Sequence, residues 1–173
     1  MSEGEERRFI GKYRGAVLSN IDPLQKGRLL LQCTDVDALL PTTWALPCFP
    51  FVGRQMGMWA LPQIGAGVWV EFEQGDPDYP IWTGGWYASA AEVPALALAA
   101  LPAAPNVILQ TQGQTTLMLS DTPGPTGGIL LKTLTGAFIS INDIGITISN
   151  GKGAIITMTG PTVMVNAGAL TVT

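Results

Sequence analysis

The last third of the chain is a row of short apolar runs with nothing beside them to cover their faces. Residues 106–173 contain Val107-Ile108-Leu109, Leu117-Met118-Leu119, Ile129-Leu130-Leu131, Phe138-Ile139-Ser140-Ile141 and Ile144-Gly145-Ile146-Thr147-Ile148. Ile155-Ile156-Thr157-Met158, Val163-Met164-Val165 and Leu170-Thr171-Val172 follow. Gly, Pro, Asn and Asp separate these runs, and Asp121, Lys132, Asp143 and Lys152 carry all the side-chain charge. Strand alternation gives each run one apolar face. No amphipathic helix is available to cover those faces. Open edges with so little charge aggregate unless other chains complete the structure. The expectation is an obligate oligomer, an intertwined β-prism whose strands pair between chains.

The rest of the composition narrows the function. The chain is 47% hydrophobic with a net charge of −4, which excludes disorder driven by high charge and low hydrophobicity. It also argues against binding nucleic acid through a basic patch. There is no histidine, so the commonest general base and a frequent zinc ligand are both missing. Cys33 and Cys48 lie in separate segments, and free thiols are favoured over a disulfide. Residues 1–14 are charged and lack the apolar core of a signal peptide. The longest apolar window, residues 95–101, sits between Pro94 and Pro102 and is far too short to span a bilayer. Synthesis in the cytoplasm is expected, with any export by another route.

Four stretches are expected: an arm over residues 1–12, a barrel over 13–87, a linker over 88–105 and the strand-rich tail over 106–173. Barrel strands are expected at residues 13–19, 27–33, 57–61, 68–73 and 80–86. Turn signals such as Asp22-Pro23 and Gly75-Asp76-Pro77-Asp78 separate them. Val68, Val70 and Phe72 fall on one face of their strand; Trp69, Glu71 and Glu73 fall on the other. Five strands in this length suit a small closed barrel of the oligonucleotide/oligosaccharide-binding (OB) type. In the linker, Ala and Leu favour helix, but Pro94, Pro102 and Pro105 limit it to about two turns. The linker is expected to pack along a partner chain, with a short buried helix as the alternative. The tail also repeats itself: Leu109, Thr111, Leu117, Leu119 and Asp121 recur in kind as Leu131, Thr133, Ile139, Ile141 and Asp143. A constant offset marks a build in which each unit buries its face on the next.

Residues that invite a chemical reading have simpler structural ones. Gly75-Asp76-Pro77-Asp78 is favoured as a tight turn over a metal or catalytic loop. Arg28 is expected to pair with a barrel carboxylate or a neighbouring subunit. Trp44, Trp59, Trp69, Trp82 and Trp86 suggest a stacking platform for single strands or sugars. Few basic residues accompany them, so packing aromatics are favoured. Asn150-Gly151-Lys152-Gly153-Ala154 lacks the spacing and following helix of a phosphate loop. Asp121 and Asp143 occupy equivalent repeat positions, where turn caps are favoured over an axial ion site. Lys152 and Asp143 are candidates for salt bridges between chains. No catalytic, cofactor-binding or metal-binding residue is expected.

Several motifs converge on one family. They are Tyr13-Arg14-Gly15-Ala16-Val17, Asp22-Pro23-Leu24-Gln25-Lys26-Gly27-Arg28 and Leu61-Pro62-Gln63-Ile64-Gly65. The most specific is Phe72-Glu73-Gln74-Gly75-Asp76-Pro77-Asp78-Tyr79-Pro80, which runs on to Gly84. Together they resemble the OB domain of phage baseplate central-spike proteins, the baseplate assembly protein V group. They are also similar to the matching domain of valine-glycine-repeat (VgrG) spikes of type VI secretion. The tail, with Asn142-Asp143, Asn150-Gly151 and Asn166-Ala167-Gly168, resembles the triple-stranded β-helix that follows that domain.

The resemblance implies an all-β homotrimer: an OB collar and a rigid needle on the axis of a phage tail or injection machine. Such a spike meets the target membrane only by mechanical penetration. It implies no enzyme, no cofactor and no nucleic-acid partner. The linker leaves no room for the lysozyme domain of some spikes and offers no acidic pair for glycoside cleavage. The short N-terminal arm implies a separate hub protein on the OB side. Without histidine, the iron-binding apex of some phage spikes cannot form. A blunt C-terminal end is expected instead, open to capping by a proline-alanine-alanine-arginine (PAAR) repeat protein. The rival reading is an OB module for glycan or single-stranded nucleic acid that its tail trimerises.

Overall fold

The computed structural model describes residues 8–172; residues 1–7 of the expected arm and Thr173 lie outside the described residues. The chain divides into two compact units, Met1–Ala90 and Ala91–Thr173.

The first unit is a five-stranded sheet closed into a barrel. Its strands are β1 (Tyr13–Ser19), β2 (Leu30–Gln32), β3 (Leu46–Pro47), β6 (Gly67–Phe72) and β7 (Pro80–Trp86), in the order β2-β1-β6-β7-β3. A separate hairpin is made by β4 (Val52–Gly53) and β5 (Met56–Gly57). Two backbone hydrogen bonds close the ring: Leu29 N–H donates to Ala45 O at 3.0 Å, and Ala45 N–H donates to Leu29 O at 2.8 Å. Alternation along β6 works as its sequence requires. Val68, Val70 and Phe72 point into the core, joined there by Phe9, Val17, Leu29, Leu31, Ala45 and Trp82. Phe9 therefore packs with the barrel, and its N–H donates to Gly75 O at 2.8 Å.

Two features depart from the sequence expectation. Residues 58–61 form no strand; the fifth strand is β3, which runs parallel to β7 with Leu46 opposite Ile81 and Pro47 opposite Trp82. Turn chemistry explains the exchange. The β4–β5 hairpin reverses at Arg54-Gln55, with Gln55 at φ 56°, and this takes Gly57 into the hairpin. Trp59 then stacks on Phe49 at 5.5 Å, and Pro62 follows with no ladder donor. Gly67 shows why a side chain is excluded where β6 meets β7. A Cβ there would lie 2.6 Å from the Trp86 ring.

The second unit is one antiparallel meander. Its eight strands are β8 (Val107–Gln110), β9 (Thr116–Ser120), β10 (Gly128–Lys132), β11 (Phe138–Asn142), β12 (Gly145–Ser149), β13 (Ile155–Thr159), β14 (Thr162–Val165) and β15 (Leu170–Val172). Each strand pairs with its neighbour in sequence, all within one chain. Short turns make in-chain antiparallel pairing the nearest solution for every run. A single-turn helix, α1 (Ala95–Leu98), begins after Pro94. The linker contacts the sheet that follows it: Asn106 Nδ2 donates to Leu96 O at 2.9 Å and lies 3.5 Å from Met118 Sδ. Met118 is buried.

Leu31 is fully buried in the barrel. Leu31→Ala should lower the stability of the barrel by about 2–5 kcal/mol, read by urea denaturation followed through tryptophan fluorescence.

Candidate functional site: an assembly surface

Strand register decides what the C-terminal sheet presents. Leu117 lies opposite Leu109 and Leu131, and Leu119 lies opposite Val107 and Ile129. Ile139 and Ile141 continue those columns from Leu131 and Ile129, and Ile148 and Ile146 continue them from Ile139 and Ile141. Ile156 and Met158, then Val165 and Val163, then Leu170, extend the same columns. One face of the sheet is thus two apolar side chains wide from β8 to β14, without a polar interruption, and Leu170 of β15 extends one column. The face stays open within the chain: Leu109 is 58% exposed, Leu119 44% and Ile141 41%. Isolated exposed Leu or Ile is ordinary on a protein surface, but a contiguous apolar surface of this extent marks an interaction site.

The other face is mixed. It carries Thr116, Ser120, Lys132, Ser140, Asn142, Thr147, Ser149, Thr157 and Thr162 among Ile108, Met118, Leu130, Phe138, Ile155 and Met164. A groove of about 360 Å³ on it is lined by Leu130, Lys132, Leu134, Phe138 and Ser140.

Turns hold this register. Three five-residue turns close in the same way: Thr111 N–H donates to Thr115 O, Thr133 N–H to Ala137 O, and Asn150 N–H to Ala154 O, at 3.0, 2.9 and 3.1 Å. The first two are the repeat seen in sequence. Asn150 Oδ1 takes the N–H groups of Lys152 and Ala154 at 2.8 and 3.1 Å, so this segment is a closed turn. At the opposite edge Asp143 Oδ2 accepts from Gly124 N–H at 2.7 Å, the capping role favoured for it over ion binding. Gly128, at φ +80°, starts β10 where a Cβ would strike Ile141 O.

The barrel's conspicuous residues are structural. Asp76 accepts from Asp78 N–H at 2.9 Å through its side chain and from Tyr79 N–H at 3.1 Å through its carbonyl, forming a tight turn. The tryptophans fall into separate groups, and Trp69 and Trp86 pack together with ring centroids 6.3 Å apart. Trp82 is buried and donates to Gly27 O at 3.1 Å. Trp59 stacks on Phe49, while Trp69 and Trp86 lie under the Arg14 guanidinium at 5.9 and 5.2 Å. Trp44 faces Arg28 at 5.4 Å. Arg28 pairs with the buried carboxylate of Asp22 at 2.6 Å. Cys33 is buried and Cys48 exposed, and both are free. Burial pushes the Cys33 thiol up, and nearby Asp35 adds to this. Among the described residues no three His, Cys, Asp or Glu side chains are grouped to hold a metal ion, and no helix is long and apolar enough to cross a membrane.

Comparison with protein families follows the same division. Residues 13–87 match the type VI secretion system/phage-baseplate injector OB domain. Residues 106–171 match the phage baseplate V C-terminal trimerisation domain. The chain belongs to the phage baseplate V family. Its fold is accordingly an OB barrel followed by a trimerisation domain, and the apolar face lies on the latter. The matched families are structural baseplate proteins, and membership implies a place in a phage or injection-machine baseplate. No curated protein matches the chain.

Asp22 supplies a pH test. The Arg28 guanidinium holds its carboxyl well below the usual carboxylate range, and the N–H groups of Leu24, Lys26 and Arg28 add to this against the opposing effect of burial. A depressed folded-state pKa stabilises the fold above the unfolded value of about 3.9 and is lost as pH falls below it. Asp22→Asn should therefore destabilise the barrel at pH 7. Urea denaturation at stepped pH should show the gap to wild type closing below about pH 4.

Proposed function

We propose that three copies of this chain form the central spike of a contractile tail or injection machine, and that the C-terminal sheets build a rigid needle for passing a target envelope. The single observation that carries this reading is the unbroken two-column apolar face on a domain matched as a trimerisation module. Three such sheets around an axis, apolar faces inward, make a prism with a dry interior. Apolar burial contributes ~25 cal/mol per Å², so each Ile or Leu newly covered adds on the order of 1 kcal/mol. Summed over three chains, that energy resists both unfolding and dissociation.

In this reading the OB barrels form the collar to which a separate hub protein binds. The far end of the needle accepts a PAAR-like tip protein. The linker joins the two units, and neither part performs catalysis. Assembly places the protein in a tail or injection particle. The rival reading, a glycan- or single-strand-binding OB module, is disfavoured because Trp82 is buried in the barrel core, which leaves it no face for a base or sugar.

The test is solution mass by light scattering. Wild type should weigh three chains. Ile139→Asp with Ile148→Asp, adjacent on the apolar face, should give monomers whose barrels still unfold cooperatively. Thr147→Asp, on the mixed face, should stay trimeric. A monomeric wild type, or a trimer indifferent to both face substitutions, would sink the proposal.

A further inference from the structure

The tail's four charges are sorted by edge. In the meander, the turns at residues 111–115, 133–137, 150–154 and 166–169 lie on one edge of the sheet. The connections at residues 121–127, 143–144 and 160–161 lie on the other. Lys132 ends β10 beside the 133–137 turn, and Lys152 sits within the 150–154 turn, so both cations mark the first edge. Asp121 directly follows β9 and Asp143 directly follows β11, so both anions mark the second edge. Asp121, Asp143 and Lys152 are exposed, and Lys132 is partly so.

The spacing along the stack matches as well. Lys132 lies about one strand beyond Asp121, and Lys152 about one strand beyond Asp143. Neighbouring sheets in a closed ring stand level, and strands are about 4.8 Å apart, so each lysine faces an aspartate about one strand spacing away along the axis, within reach of a lysine arm.

We infer that these four residues select how copies of this chain close into a ring: the lysine edge of each sheet meets the aspartate edge of the next, with all chains parallel. This rests on the trimer reading above. A ring of three sheets built by one rotation presents unlike edges at every corner, the closed heterologous arrangement. Inverting one chain while keeping its apolar face inward swaps its edges. Lysines then meet lysines at one corner and aspartates meet aspartates at the other. The apolar columns discriminate poorly between these two arrangements, because Ile, Leu and Val pack in either direction. Like-charge repulsion supplies the discrimination, even where each exposed pair adds little to stability.

The test is the yield of trimer on refolding the full chain at low salt, with wild type alongside. Lys132→Asp should lower the yield at least about threefold, and adding Asp121→Lys should restore it by returning unlike charges to the corner. The deficit should fade near 1 M salt, where the screening length is about 3 Å. Lys152→Asp should show the same deficit and salt dependence, and it leaves the Asp143–Gly124 bond untouched. A trimeric wild type with single variants that refold equally well would overturn the edge proposal alone. So would a charge swap that fails to restore yield, or a deficit unchanged by salt. A wild type that never trimerises would overturn the spike reading and this one together.

Discussion

A sheet face two apolar residues wide from β8 to β14 is left uncovered by the chain that makes it. Valines, leucines, isoleucines and methionines on eight strands share one face, and the linker covers part of the other. Everything distinctive about the second unit follows from that imbalance. Neighbouring strands are laddered along the meander, with β8 and β15 at its two open ends. The apolar columns lie exposed beside those ladders.

The barrel is built on the opposite principle. Leu29 and Ala45 close the ring of strands, and Leu29, Leu31, Val68 and Val70 are fully buried without help from a second chain. Its polar outliers are settled locally as well: Asp22 by Arg28 and three backbone N–H groups, and Trp82 by Gly27 O. A barrel with a core of its own is thus joined to a sheet whose apolar face is open. The meander's pairs are all between strands adjacent in sequence, the low-contact-order arrangement that favours fast formation.

Much of this was legible from residue order. Each apolar run of the tail is a strand, the repeat from Leu109 to Asp121 and from Leu131 to Asp143 recurs as two hairpins, and strands 13–19 and 80–86 fall where alternation puts them. Register was harder to read. Alternation shows that a strand has an apolar face but not which residues stand opposite one another, and that depends on turns whose closure is visible only in three dimensions. The strand at Leu46–Pro47 gave no periodic signal because it is two residues long. Residues 57–61 carried an apolar signal that the Arg54-Gln55 turn and the Phe49–Trp59 stack redirected. For the candidate site, composition indicated that the tail needed partners, but the two unbroken columns required the register of every ladder.

Thiol labelling at position 148 reads the central claim most directly. In a chain with Cys33 and Cys48 replaced, Ile148→Cys places a reporter on the apolar face and Gln112→Cys places one in an exposed turn. If the faces meet around an axis, the thiol at 148 should react orders of magnitude more slowly than the thiol at 112, and should lose that protection when denaturant separates the chains. Equal labelling rates in the native protein would mean the apolar face is open to water, and the prism would be wrong.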